Sequence, residues 1–409
     1  MTDIAGTVPV IAVDKVQAVA LAVCTYYFGV WLKGKVGVLS RYSIPSPVVG
    51  GMSFAIVVSF LEYFNIVKVQ IDSTLQTVLM LGFFTTIGLM ASLRVVKDGG
   101  RLLLGFLLAV TVLGMGMAIA EAMGFDKHYG ILAGSVSMMG GLGTAAAFGP
   151  YFEETYGITG GTAVAVTAAT FGMVAALLIG GPFGEWCIRR YQVKTPDEVQ
   201  QPEPELHLPD DMDTDITEQH ASAKPNFTNE IMRAVSVTAL AMGLGTIVSN
   251  FLGHYITLPA YIGAMIVATV IRNVGDFSGM YKVEGKGLNA VADITLVLFV
   301  TMAINNLKLH ELVHLALPLV VILACQTILM LIYAWTVLFT AFGRSYDAVM
   351  LSVGGIGFSM GATANGLANM QAISEKYGSS PRAWLIVSVV GAFLIDLINA
   401  VVITWFGTL

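Results

Sequence analysis

Long apolar runs, separated by short polar stretches, dominate the chain. A helix rises 1.5 Å per residue, so about 20 apolar residues cross a hydrocarbon layer roughly 30 Å thick. On that measure the sequence predicts ten crossings: Val16–Leu32, Pro45–Phe64, Thr74–Leu93, Leu102–Met123, Gly161–Ile188, Glu230–Leu252, Leu258–Ile271, Leu288–Asn306, Val313–Phe342 and Arg382–Thr408. The seventh is short. Two further stretches, Tyr129–Tyr156 and Tyr346–Tyr377, are apolar but rich in Gly, Ser and Thr. A plain crossing has no use for that composition, so both read as re-entrant hairpins that enter the membrane and return to the same side. From Arg189 to Thr228 the apolar pattern stops. Pro196, Pro202, Pro204, Pro209 and Pro225 and the acidic run Asp210, Asp211, Asp213 and Asp215 predict a disordered linker there.

Charge fixes an orientation. With the N-terminus outside, only Lys15, Lys68, Lys127 and Lys308 of the 21 lysines and arginines face out. The remainder lie on the inner side, as the positive-inside rule requires. Reversing the chain, or turning either hairpin into a full crossing, spoils this split. Both termini are therefore expected outside and the linker in the cytoplasm of a bacterial inner membrane. Composition agrees: 56% of residues are hydrophobic, 12% are charged, and mean hydropathy is +0.77. That excludes a water-soluble domain, and the lack of a basic patch with interleaved aromatics excludes nucleic acid as a partner. The N-terminal stretch has no basic segment of the kind that opens a cleaved signal peptide. Cys24, Cys187 and Cys325 show no metal spacing and read as small apolar side chains.

The two halves repeat each other. Tyr129, Ser135 and Val136 match Tyr346, Ser352 and Val353 at an offset of 217. Gly141-Leu142-Gly143-Thr144 matches Met360-Gly361-Ala362-Thr363 at 219, and Gly172 matches Gly391 at the same offset. Glu154-Thr155-Tyr156-Gly157 matches Glu375-Lys376-Tyr377-Gly378 at 221, and Phe84 with Thr86 matches Phe299 with Thr301 at 215. The offsets drift slowly and stay collinear. Residues 1–188 and 229–409 thus form two repeats of five crossings and one hairpin each, joined by the linker 189–228. Five is odd, so the second copy enters from the opposite side. The expected fold is an all-α polytopic membrane protein of two inverted repeats, a plan that places a transport site near the midplane.

The hairpins carry the candidate chemistry. Gly140-Gly141-Leu142-Gly143-Thr144 and Gly354-Gly355-Ile356-Gly357, with Ser359, Gly361 and Thr363, supply backbone that leaves the helix inside the membrane. Half-helix N-termini suit carboxylates, while freed carbonyls and hydroxyls suit a small cation. The alternative is that these glycines only let helices pack closely. Asp396 lies deep in the last crossing and needs a partner. Asn399 shares its face, so the pair can hold a sodium ion, a substrate ammonium, or a structural hydrogen bond. Asn365 and Asn369, one turn apart, present amides to a polar ligand. Asp293 sits near a helix end and reads as water-facing, Arg382 as a positive-inside anchor. His254, His310 and His314 form no metal spacing. No nucleophile–base constellation stands out, so no enzyme activity is expected.

On these residues the chain resembles the sodium/glutamate symporter family, over nearly all its length except the linker. The likeness is carried by Tyr42-Ser43-Ile44-Pro45-Ser46-Pro47-Val48-Val49-Gly50-Gly51, Gly82-Phe83-Phe84-Thr85-Thr86-Ile87-Gly88-Leu89, and the first hairpin. Thr170-Phe171-Gly172, Ile179-Gly180-Gly181-Pro182, Ala368-Asn369-Met370-Gln371-Ala372-Ile373 and Gly391–Ala400 complete it. The resemblance implies sodium-driven uptake of L-glutamate, ten crossings with two re-entrant loops, a homodimer and an elevator-type movement. On this reading Ser137, Gly141, Gly143, Thr144, Ser359, Gly361, Thr363, Asn365, Asn369 and Asp396 bind the anionic substrate. Sodium, the co-transported ion, is placed at Gly140, Gly355, Asp396 and Asn399. The chain departs from the family at both tips: Leu142 stands where the family usually has His, and Ala364-Asn365 replaces the usual Pro-Thr. Rival readings are a sodium-coupled dicarboxylate symporter and an anion channel on a transporter-like fold.

Overall fold

Helix follows helix along the chain, with ends set by local chemistry. The computed structural model describes residues 9–37, 39, 44–91, 104–105, 108–109, 112, 114–196, 227–252, 260–279, 285–309, 315–389 and 395–409. Most of the linker, with its acidic run, the early part of the fourth predicted crossing, His254, His310, His314 and Gly391 lie outside the described residues. Helix α1 (Lys15–Lys35) starts at a reciprocal cap. The Asp14 carboxylate accepts from the Val16 and Gln17 amides, and the Gln17 side chain accepts from the Asp14 amide at 3.1 Å. Helix α2 (Ser46–Tyr63) opens at Pro45 and Pro47, where a first-turn amide has no helical partner to lose. The later helices are α3 (Thr74–Met90), α4 (Gly116–Ala122), α5 (Lys127–Ile131), α6 (Gly141–Tyr156), α7 (Gly161–Tyr191), α8 (Phe227–Leu252), α9 (Ala260–Ser278) and α10 (Lys286–Asn305). They are followed by α11 (Ala316–Tyr333), α12 (Tyr346–Met360), α13 (Thr363–Tyr377), α14 (Pro381–Val389) and α15 (Ile395–Thr408). Two stretches, Leu132–Met139 after α5 and Ala334–Ala341 after α11, widen to i→i+5 hydrogen bonding.

Among the described residues, six helices are long and apolar enough to cross a membrane: Lys15–Lys35, Ser46–Tyr63, Gly161–Tyr191, Phe227–Phe251, Lys286–Asn305 and Ala316–Ala341. The chain is a helical, multi-pass membrane protein. Three details depart from the pattern-based expectation. First, the fold is not wholly α. Strand β1 (Val10–Val13) pairs in parallel with β2 (Lys68–Ile71), Val10 opposite Lys68 and Val13 opposite Ile71. Each strand is only four residues long and its partner is remote in sequence, so neither leaves a pattern of its own. Second, α9 runs past Ile271 to Ser278. Arg272 and Asp276, both nearly buried, pair at 3.1 Å one turn apart, and Asn273 donates to the Ala91 carbonyl at 2.9 Å. Those partners keep a polar turn helical where hydropathy alone ends it. Third, the ninth predicted crossing changes pitch within its length, from α11 to the i→i+5 segment Ala334–Ala341; of the tenth, α14 and α15 are described, and residues 390–394 between them lie outside the described residues. At the linker, α7 continues to Tyr191 and α8 begins at Phe227.

Both glycine-rich stretches fold back on themselves. Their opposite ends touch: the Tyr129 hydroxyl donates to the Thr159 carbonyl at 2.7 Å, and the His128 ring stacks on Tyr156 with centroids 4.1 Å apart. In the second stretch the Tyr346 hydroxyl donates to the Gly378 carbonyl, and the Ser380 hydroxyl to Asp347 at 2.6 Å. The arms of this second hairpin, α12 and α13, lie against each other at Gly357 and Gly366. A Cβ on Gly357 would fall 2.5 Å from the Gly366 Cα, so only glycine permits the approach.

Contacts between helix ends sort the loops into two sets. Val10–Val13 meets Lys68–Ile71, and His128 Nε2 meets the Gly407 carbonyl at 3.2 Å; all belong to the predicted outer side. Lys376 pairs with Glu185 at 2.6 Å, Trp335 Nε1 donates to the Tyr191 hydroxyl at 2.8 Å, and Arg344 lies over the Tyr191 ring; all belong to the inner side. The helices form two groups. α1, α2, α3, α8, α9 and α10 pack chiefly on one another. The hairpins, α7, α11, α14 and α15 make up the other. Each half of the chain contributes its first three helices to one group and its remainder to the other. Phe84 and Tyr261 stack at 4.3 Å in the first group, and Phe148 of α6 meets Tyr261 edge-on across the boundary.

The Gly357–Gly366 contact yields a test. Gly357→Leu is expected to destabilise the protein by about 2 kcal/mol or more through overpacking. It should appear as a lower melting temperature in detergent. An unchanged melt would contradict the close packing of α12 on α13.

Candidate functional site

The site grows out of the two hairpin turns. In the first, the i→i+5 segment ends at Gly140, and Gly141 takes φ +64°, a left-handed conformation that glycine adopts without strain. Helix α6 starts there with its first amides unpaired within the helix. In the second, α12 ends at Met360, the backbone leaves the helix at Gly361 and Ala362, and α13 starts at Thr363. The two turns meet: a Cβ on Gly141 would lie 3.0 Å from the Gly361 carbonyl oxygen. The turns of the two glycine-rich stretches thus touch.

Helix α7 is the surface on which both tips rest. The Ser137 hydroxyl, fully buried, donates to the Ala165 carbonyl at 2.7 Å and also contacts the Leu132 carbonyl. On the second hairpin, Asn365 Nδ2 donates to the Met173 carbonyl at 2.8 Å and Asn369 Nδ2 to the Ala176 carbonyl at 3.0 Å. The α7 positions facing them are small. A Cβ on Gly172 would lie 2.2 Å from the Met360 carbonyl oxygen, and one on Gly180 would lie 2.1 Å from Asn369 Nδ2. Asn365 and Asn369 therefore spend their amide donors on fixing α13 to α7.

The expected substrate residues Ser137, Gly141, Gly143, Thr144, Ser359, Gly361, Asn365 and Asn369 all fall at or within a few turns of the tips. Thr144 is buried beside Gly140, and the Ser359 hydroxyl is buried with no hydrogen-bond partner among the described residues. A Cβ on Gly143 would meet the Phe83 ring at 2.9 Å, so this tip abuts the other helix group. Thr363 opens α13, and its side chain lies outside the described residues. Of the four expected sodium positions, two come together: Gly140 N and Asn399 Nδ2 both donate to the Ser135 carbonyl, each at 3.2 Å. Asp396 stands one turn before Asn399 on α15. Gly355 sits inside α12, six residues before Gly361, and its neighbours Gly354 and Gly357 face Met370 and Gly366 of the other arm. Sequence reasoning did not single out Ser135 as a site residue, because a serine in an apolar run gives no periodic signal; its match to Ser352 was the only mark it carried.

A separate cavity of about 390 Å³ opens at the predicted outer side, between the two helix groups. Ser73 and Gln76 of α3, Glu153 of α6, Thr159 and Thr162 at the α6–α7 turn, and Asn306 after α10 line it. Its polar lining sets it apart from the buried tips. Among the described residues, no cluster of three His, Cys, Asp or Glu side chains is placed to hold a metal ion.

Comparison with known proteins agrees with the geometry. A family model described as sodium/glutamate symporter matches residues 11–379. A curated protein named sodium/glutamate symporter from Escherichia coli (strain K12) is 37% identical over 400 residues, covering 95% of this chain and 96% of the relative. One of the same name from Shigella flexneri gives the same figures. Another from Haemophilus influenzae is 34% identical over 395 residues, covering 94% and 95%.

The amide donors on α13 can be tested directly. Asn369→Asp sets a carboxylate against the Ala176 carbonyl, while Asn369→Ala only removes the hydrogen bond. The acid is expected to cost at least twice as much stability as the alanine variant, whose loss is about 1–3 kcal/mol. Thermal melts in detergent at neutral pH measure both, and equal losses would count against the amide–carbonyl contact.

Proposed function

Because the chain belongs to the sodium/glutamate symporter family, we propose that it carries L-glutamate into the cell with sodium, as a secondary active transporter and not an enzyme. The observation that supports this reading best is the meeting of the two tips at Gly141 and Gly361, between hairpins whose ends lie on opposite sides. In our reading the two halves, 1–188 and 229–409, are inverted repeats joined by a cytoplasmic linker at 189–228. The hairpins are re-entrant loops in a bacterial inner membrane, and both termini lie outside.

A site of this kind suits an anionic amino acid. Broken backbone within the membrane offers amide donors for carboxylates and carbonyl oxygens for a cation, replacing the water that both shed on entry. Amides at Gly141 and Gly143, with the turn at Gly361 and the hydroxyls of Thr144, Ser359 and Thr363, hold the carboxylates. Ser137, Asn365 and Asn369 keep the two hairpins in place on α7. Asp396 supplies the negative charge that the substrate ammonium or sodium needs.

Energetics set a minimum stoichiometry. Moving one elementary charge through 100 mV releases about 2.3 kcal/mol. Glutamate carries one net negative charge, so a membrane potential drives uptake only when at least two cations accompany it. The division into two helix groups suits an elevator movement. The group with the hairpins moves, and the group of α1, α2, α3, α8, α9 and α10 stays fixed in lipid as the dimer scaffold.

In proteoliposomes, radiolabelled L-glutamate is expected to accumulate above its external concentration under an inward sodium gradient. Malate and citrate should compete poorly if the substrate is an amino acid. Equal uptake with and without the gradient would sink the symport reading. Asp396→Asn is expected to lower initial uptake at least tenfold, with the protein still inserted and dimeric by gel filtration.

A further inference from the structure

Serine and threonine hydroxyls in apolar helices ordinarily close onto a carbonyl one turn back, because lipid offers them no other partner. Thr25, Thr85, Thr170, Thr295, Thr301 and Thr404 do so here. So does Ser352, the second-half counterpart of Ser135, which donates to the Ala348 carbonyl at 2.6 Å. Ser135 does not. Its side chain is fully buried, and its hydroxyl has no partner among the described residues. It lies beside Gly134, which leaves helical backbone angles within the i→i+5 segment.

Asn399 lies against this serine. It is 1% exposed, and Nδ2 donates to the Ser135 carbonyl while Oδ1 has no partner among the described residues. Flipping the amide would set oxygen against oxygen, so the orientation is fixed. Two buried oxygens thus stand unpaired on two residues in contact. Hydroxyl and amide oxygens are the ligands a small hard cation takes. Asp396, three residues before Asn399 on α15, brings a carboxylate to the same helix face.

We propose that sodium binds between the i→i+5 segment of the first hairpin and α15, held by Ser135 Oγ, Asn399 Oδ1 and the Asp396 carboxylate. This rests on the sodium-symport reading and adds Ser135 as a ligand. The Ser135 carbonyl also accepts from Gly140 N. The ion therefore orders the carbonyl on which the first tip depends, which couples cation occupancy to the substrate-binding turn.

The test uses the full-length protein, with sodium alone as probe and potassium at equal ionic strength as control. Wild type is expected to gain melting temperature as sodium rises, because a ligand that binds only the folded state stabilises it. Ser135→Ala is expected to need at least tenfold more sodium for half of that gain. Its melting temperature in potassium should equal or exceed that of wild type, since an unpaired buried hydroxyl has been removed. In uptake assays the same variant should show the matching shift in half-saturating sodium, with KM for glutamate at saturating sodium within twofold. Asn399→Ala should shift the same way, but it also loses the bond to Ser135, so Ser135→Ala is the decisive variant. Ser352→Ala should respond to sodium as wild type does. A Ser135→Ala protein with the wild-type sodium response would overturn this site while leaving sodium symport intact. A wild type whose glutamate uptake ignores sodium would overturn the symport reading itself.

Discussion

A peptide group in lipid must find its hydrogen bond within the protein, and the rest of the structure depends on that constraint. Most of the chain meets it by staying helical. At Gly140–Gly141 and at Gly361–Ala362 the helix breaks, and the freed groups survive only because protein surrounds them. Each break is placed where another element covers it: Gly141 against Gly361, Met360 against Gly172, and the turn of the first hairpin against Phe83. Close packing and broken backbone thus coincide at the two turns.

Helix α7 makes that arrangement rigid. Its carbonyls at Ala165, Met173 and Ala176 each accept a side-chain donor from a hairpin in addition to their place in the helix. Small residues on the same helix let those donors reach. Both hairpins are thus indexed to one rod, and their tips keep a fixed relation to each other. The boundary with the other helix group is different in kind. Aromatic rings and aliphatic side chains dominate it, at Phe83, Tyr261, Phe148 and Leu296, and a cavity opens along it at the outer side. Apolar contacts are non-directional and can slide, whereas the amide–carbonyl contacts on α7 cannot without losing partners.

The sequence by itself determined the membrane class and the extent of both glycine-rich stretches. Long apolar runs and the bias of Lys and Arg are one-dimensional signals, set by a solvent that acts on every residue alike. The second hairpin's 346–377 bounds coincide with α12 and α13 for this reason, and the glycine-rich composition gave the first to within two residues. Hydropathy could not show the β1–β2 pair or the bond from Asn273 to Ala91 that anchors the polar last turns of α9, because each depends on a partner far away in the chain. At the site, sequence picked out the glycines, asparagines and Asp396 by type, yet their duties followed from position. Asn365 and Asn369 serve α7, Gly354 and Gly357 serve the hairpin's own packing, and the Ser135 hydroxyl is left unpaired among the described residues. Only the tertiary structure decided these, since a hydrogen bond is fixed by where the partner stands and not by the residue that offers it.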